Sequence, residues 1–205
     1  MYTNILNKQQ EQLLPLISLF SKDYFLVGGT AIALFLGHRT SVDFDLFTNL
    51  NVKRRKIKNI LEKKQAEYTV IHEAYDQLHI IIAGVKLTFF NFPFKIEHKQ
   101  HFENYITIPS LIDLAAIKAF ALGGRAKWKD YVDLYYLLKS QFTISEIEQK
   151  AEFYFNNRFN KKLFRQQISY FDDIDYTELV IYMSENHPTD NVIKSFLINQ
   201  ATIAF

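Results

Sequence analysis

The 205-residue chain carries 24 Lys plus Arg against 22 Asp plus Glu, a formal net charge of +2, with 48% hydrophobic and 22% charged residues. That balance excludes a disordered chain and a globally basic nucleic-acid binder, so any nucleic-acid contact must come from a local patch. Cysteine is absent, which removes disulfides, thiolate metal ligands and a cysteine nucleophile.

Met1–Gln10 has no basic segment followed by an apolar one, so no secretory signal is expected. Residues 7–21 read as an amphipathic helix, with a kink or restart at Pro15. Residues 24–27 form a short apolar strand that ends at Gly28-Gly29, and 30–36 a compact helix closed by Gly37. The apolar run 25–36 is too short to cross a bilayer, so a cytoplasmic protein without membrane contact is expected. A second strand over 42–47 is followed by a basic helix over about 52–65. Strands are expected at 67–72, 78–83 and 85–92, the last two joined by an Ala-Gly turn at 83–84, and a short one at 105–108.

From Ser110 the pattern becomes helical. Ser110 with Asp113 reads as a capping box opening a helix over 111–122, closed by Gly123-Gly124. Further helices are expected at 128–140, after a Thr143/Glu146 cap, and at 160–171 and 190–202. The sequence therefore predicts an α+β protein, a mixed α/β part over 1–108 followed by a helical part over 110–205. Most of the 19 Phe and 12 Tyr are assigned to core.

The chemistry concentrates in two blocks. In Arg39-Thr40-Ser41-Val42-Asp43-Phe44-Asp45, alternation puts Asp43 and Asp45 on one strand face and Val42, Phe44 and Leu46 in the core. Two carboxylates at i and i+2 suit Mg²⁺ or Mn²⁺ that also carries substrate phosphates; their bland alternative is the solvated face of an edge strand. Gly28, Gly29 and Thr30 lie between a strand and a helix, where backbone N–H groups and the helix dipole favour an anion. The second block is Lys118, Arg125, Lys129, Asp130 and Asp133. Lys118 and Arg125 suit a triphosphate, and Asp130 and Asp133 suit orienting those cations or assisting a metal; the alternative is a surface ion-pair cluster.

Together these residues resemble the AbiEii-type nucleotidyltransferases, toxin components of type IV toxin–antitoxin and phage-defence pairs. The resemblance rests on Gly28-Gly29-Thr30-Ala31, on Arg39-x-Ser41-x-Asp43-x-Asp45, and on Lys118 with Arg125, Lys129-Asp130 and Asp133-Leu134. It covers about residues 24–140. It implies a nucleotidyltransferase core closed by a helical domain, and transfer of a nucleotidyl group from an NTP to an RNA, such as a tRNA, or to a protein hydroxyl. Asp43 and Asp45 would bind the metal, with Lys118 and Asp133 beside them in catalysis. Gly28, Gly29, Thr30, Arg39, Ser41 and Arg125 would bind the nucleotide, and a cognate antitoxin would be a partner.

The sequence departs from the wider superfold at one point. The strand over 85–92 carries no third carboxylate; Thr88 or Asn91 stands near its place, and Glu73, Asp76 and Glu97 are the acids nearest in sequence. A nucleotide- or partner-binding module without turnover, or a phosphotransferase, is the alternative on the same fold. His98 and His101, three apart, read as a solvated loop rather than a metal site. The basic helix stays open between a solvated face and an RNA patch.

Overall fold

The computed structural model describes residues 1–122, 124 and 126–203. They divide into two compact units, Met1–Ser110 and a second beginning at Leu111. No helix among the described residues is long and apolar enough to cross a membrane.

The first unit opens with α1 (Lys8–Ser18), where Asn7 and Gln10 form a reciprocal capping box. The helix runs through Pro15 without a restart. It ends earlier than expected because Leu19, Phe20 and Ser21 close on carbonyls three residues back, a tightening into turns. β1 (Phe25–Val27) leads directly into α2 (Gly28–Leu36), so the paired glycines are the helix's first residues rather than a turn before it. Gly37 caps α2 in the left-handed conformation.

β2 (Phe44–Thr48), α3 (Arg54–Lys63), β3 (Thr69–Glu73), β4 (Gln77–Ile82) and β5 (Val85–Asn91) complete a five-stranded sheet in the order β1-β2-β5-β4-β3. β2 and β5 run parallel and the other neighbours antiparallel. Ala83 and Gly84, both at positive φ, make the tight turn between β4 and β5. β6 (Gln100–Phe102) was not foreseen; it pairs with β7 (Ile106–Ile108) in a separate two-stranded sheet.

The period of two gives the main sheet two unlike faces. Phe44 and Leu46 of β2, Leu78, Ile80 and Ile82 of β4, and Leu87 and Phe89 of β5 are buried on one. Phe20 and Tyr24 pack edge-on against Phe89 there. Burial in that apolar setting raises the Tyr24 phenol to about 12. The second face holds the polar row described below.

The second unit is helical: α4 (Leu111–Leu122), α5 (Trp128–Ser140), α6 (Ile144–Phe155), α7 (Lys161–Ile168) and α8 (Asp190–Ala201). The Thr143/Glu146 capping box forms as read from sequence. Asp113 accepts a hydrogen bond from Tyr154 Oη at 2.8 Å and pairs with Lys150 at 3.0 Å. Arg165 makes two bonds to Glu148, at 2.6 and 2.9 Å, and donates to the Ile203 carbonyl, tying the chain's end to α6 and α7.

Candidate active site

The site grows from the junction of β1 with α2. Gly28 has φ +74°, and a Cβ there would sit 2.1 Å from Asp45 Oδ2. A Cβ on Gly29 would meet Arg39 Nη2 at 2.5 Å and Ser41 Oγ at 3.4 Å. The glycine pair thus lets the N-terminus of α2 lie directly against the side chains of the R-x-S-x-D-x-D segment. A carboxylate in that place is favoured by the helix dipole.

Thr30 and Ser41 stitch the segment down. The Asp43 carbonyl can only accept, so the Thr30 hydroxyl gives it its single proton. In the 2.9 Å contact between Thr30 Oγ1 and Ser41 Oγ the proton must then come from Ser41. Arg39, buried, donates to the Thr40 carbonyl at 2.9 Å. These three side chains hold the backbone that carries Asp43.

Two details of the strand differ from the sequence reading. β2 begins at Phe44, so Asp43 lies just before the paired residues and only Asp45 is fixed by sheet register. Val42 was assigned to the core but is 52% exposed, because no strand pairs with the chain there and alternation has no face to refer to.

Asp45 stands opposite Val27 on β1 and Thr88 on β5; Thr88 stands opposite His79 on β4, and His79 opposite His72 on β3. Residues in register share a face, so Asp45, Thr88, His79 and His72 form one row across the sheet. The strand position beside Asp45 therefore belongs to Thr88, one of the two residues expected there. Asn91 lies three residues on, where its amide donates to the Leu50 carbonyl at 2.6 Å. Glu73 turns to the opposite face and pairs with Arg54 and Lys58 of α3, and Glu97 pairs with Lys99.

Two residues on the second face escaped the sequence reading. Lys86 sits two residues before Thr88, on the same side, one place ahead of the first β2–β5 pair. His79 Nε2 lies 3.0 Å from Gln77 Oε1, and the rings of His79 and His72 are 5.2 Å apart. Burial, with help from the Lys86 and His72 charges, holds His79 below the ordinary histidine value. Neither had a signal beyond an alternating position in a strand.

In the second unit Lys118 of α4 is buried, 2.5 Å from Asp130 and 2.9 Å from Asp133 of α5. These three motif residues meet. Lys129, the fourth, instead shares Glu178 with Lys127. Arg125 lies outside the described residues, as does Gly123. His98 lies exposed in a loop, as expected, where it stacks on Phe25 with ring centroids 4.4 Å apart and bonds Thr107; His101 is exposed too but lies in β6 rather than in a loop.

On α3, Lys53 and Lys56 share Asp23, while Arg54 and Lys58 share Glu73. With Arg55 and Asn59 they line a hollow of about 630 Å³. These exposed pairs leave cations in excess of carboxylates around the hollow, which Glu62 also lines.

No cluster of three or more metal-ligating side chains occurs among the described residues. A pair of carboxylates suits Mg²⁺ or Mn²⁺, which keep several sites for phosphate oxygens and water. The donor set at Asp43 and Asp45 fits such an ion.

Four similarities bear on this arrangement. The sequence pattern of the family described as Nucleotidyl transferase AbiEii toxin, Type IV TA system matches residues 16–189. The chain is 27% identical over 177 residues to aq_aa25, an uncharacterized protein of Aquifex aeolicus (strain VF5), covering 81% of this chain and 82% of that one. In fold it resembles MenT4, the nucleotidyltransferase toxin Rv2826c of Mycobacterium tuberculosis H37Rv, with a TM-score of 0.62 and 12% identity over 95% of this chain and 82% of that one. It also resembles JHP933 of Helicobacter pylori, with a TM-score of 0.53 and 16% identity over 80% and 77% of the two chains. With the glycine pair against Asp45 and the second motif block on α4 and α5, the match over most of its length makes this chain a nucleotidyltransferase that belongs to the AbiEii toxin family of type IV toxin–antitoxin systems.

Proposed function

We propose that the chain transfers a nucleotidyl group from an NTP to a hydroxyl of an RNA or protein acceptor, with Asp43 and Asp45 binding a divalent cation, and that it acts as the toxin of a pair with a cognate antitoxin. The observation that carries the reading is the approach of the Asp45 carboxylate to Gly28 at the start of α2. It sets the carboxylate beside the helix's first backbone N–H groups, which have no partner within the helix and favour an anion.

In the reaction, the acceptor oxygen bonds to the α-phosphorus, the bond from that phosphorus to the bridging oxygen breaks, and pyrophosphate leaves with the electron pair. The cation, when bound, offsets the triphosphate charge and the charge developing on pyrophosphate. Asp43 and Asp45 hold it. Gly28, Gly29 and Thr30 present backbone N–H groups to phosphate. The Thr30 side chain, with Ser41 and Arg39, fixes the loop that carries Asp43. Lys118, Arg125 and Asp133 enter through their motif, the two cations for the triphosphate and Asp133 as the carboxylate that orients Lys118. An RNA acceptor is favoured by the excess of cations around the α3 hollow.

Incubating the protein with the four NTPs, labelled in parallel at the α- and γ-phosphate, with Mg²⁺, total RNA and total protein tests this directly. The expected result is α-label in the acceptor and γ-label in pyrophosphate. Appearance of γ-label in the acceptor would make the chain a phosphotransferase. Nucleotide binding with no transfer of either label would make it a binding module.

A further inference from the structure

We propose that His79 is the general base of the reaction, taking the proton of the acceptor hydroxyl in place of the carboxylate that β5 lacks. This rests on the nucleotidyl-transfer reading above. The register places Thr88 beside Asp45 and His79 beside Thr88 on the same face. Neighbouring strands lie about 4.8 Å apart, so the Asp45 and His79 backbones are separated by about 10 Å. A hydroxyl lying over Thr88 is then one strand away from each: near enough to Asp45 to attack a phosphorus at the metal, and within reach of an imidazole on the other side.

The other groups facing His79 do not suit the task. Lys86 on β5 acts on His79 as a positive charge, and an ammonium has no lone pair to accept a proton. His72 on β3 lies one strand farther from Asp45. Gln77 and Ile81 on β4 and Thr88 on β5 do not titrate near neutrality. Asp43 and Asp45 are the carboxylates assigned to the cation.

His79 itself is prepared. The Gln77 amide oxygen 3.0 Å from Nε2 can only accept, so Nε2 carries the ring proton and Nδ1 keeps the lone pair. The desolvation and the Lys86 and His72 charges that lower its pKa keep the ring neutral at pH 7, the form a base requires. The proton passes from the acceptor hydroxyl to Nδ1 as the oxygen–phosphorus bond forms, and the imidazolium later releases it to water. Pyrophosphate departs with the electrons of the broken bond.

The test compares His79→Gln, which keeps an amide in the imidazole's place, with His72→Gln as the neighbouring control. Loss of a general base lowers kcat by about 100-fold or more. In His79→Gln that loss is expected with KM for the NTP unchanged. The acid limb of the wild-type pH–rate profile, lying below the ordinary histidine value, is expected to disappear with it. His72→Gln is expected to keep the plateau rate and to retain the acid limb, displaced upward because one of the charges that lower His79 is gone. A second readout needs no acceptor: an NMR titration of His79 with Mg²⁺ and an α,β-methylene NTP analogue. The phosphates beside the row should raise the His79 pKa. Wild-type transfer by folded His79→Gln, or a His79 titration unmoved by a bound analogue, would overturn the assignment while leaving nucleotidyl transfer standing. Failure of the analogue to bind the wild-type protein would overturn both.

Discussion

Gly28 meets two demands at once, a positive φ and a carboxylate where a side chain would begin, whereas Gly84 meets only the first. Gly84 has φ +80° and nothing within 4 Å of its missing Cβ. Alanine at either position should cost about 1 kcal/mol for the left-handed backbone. Only Gly28→Ala drives a methyl into Asp45 Oδ2. Denaturant midpoints are therefore expected to fall for both, while Mg²⁺-dependent nucleotide binding is lost in Gly28→Ala and kept in Gly84→Ala. Equal retention of binding by the two variants would detach the glycine from the site. Spacing in the sequence was enough to bring Gly28, Asp43 and Asp45 into one hypothesis, because the helix start and strand alternation are both local. It did not find His79 or Lys86. Alternation says which face a residue takes, but which residue of β5 or β4 stands beside Asp45 depends on strand register, and that is set by turns and pairings far along the chain.

Among the helices, α5 carries two ion clusters of different character. Lys118 bridges Asp130 and Asp133 almost wholly out of solvent. Removing one partner of a buried ion pair costs about 3–5 kcal/mol, so Lys118→Met should lower stability by that order as well as activity. Chemical denaturation of this variant must accompany any kinetic reading, and an unaltered midpoint would show that the cluster is not the buried bridge described here. Glu178 lies between Lys127 and Lys129 at the half-exposed start of the same helix. Burial opposes its ionisation, but hydrogen bonds from Lys127 and Lys129 and their charges hold the carboxyl at about 2. A carboxyl with a depressed folded-state value stabilises the fold above its unfolded value, near 4.5, and loses that contribution as pH falls toward 2. Melting temperature followed from pH 6 to pH 2 should therefore fall less steeply in Glu178→Gln than in the wild type, and parallel curves would contradict the linkage. The helices themselves were legible: α5, the Thr143 cap and the Gly37 stop all follow local rules. β6 was not, since Gln100-His101-Phe102 is too short to show a period and becomes a strand only through its pairing with β7.

Across the whole molecule, stability and the proposed chemistry are assigned to opposite faces of one strand. Phe44 and Leu46 of β2 enter the core, while Asp45 between them faces the row that ends at His72. Two carboxylates assigned to one cation repel in its absence, so neutralising one is not expected to lower the stability of the metal-free protein. Phe44→Asp, by contrast, places an unpaired charge in the core. The measurement that separates these roles is transfer of α-labelled nucleotide by Asp45→Asn, read beside its melting temperature and that of Phe44→Asp. The expected result is no transfer by Asp45→Asn at a melting temperature equal to or above the wild type, and an unfolded Phe44→Asp. Transfer by Asp45→Asn at the wild-type rate, or destabilisation as severe as that of Phe44→Asp, would contradict the assignment of the site.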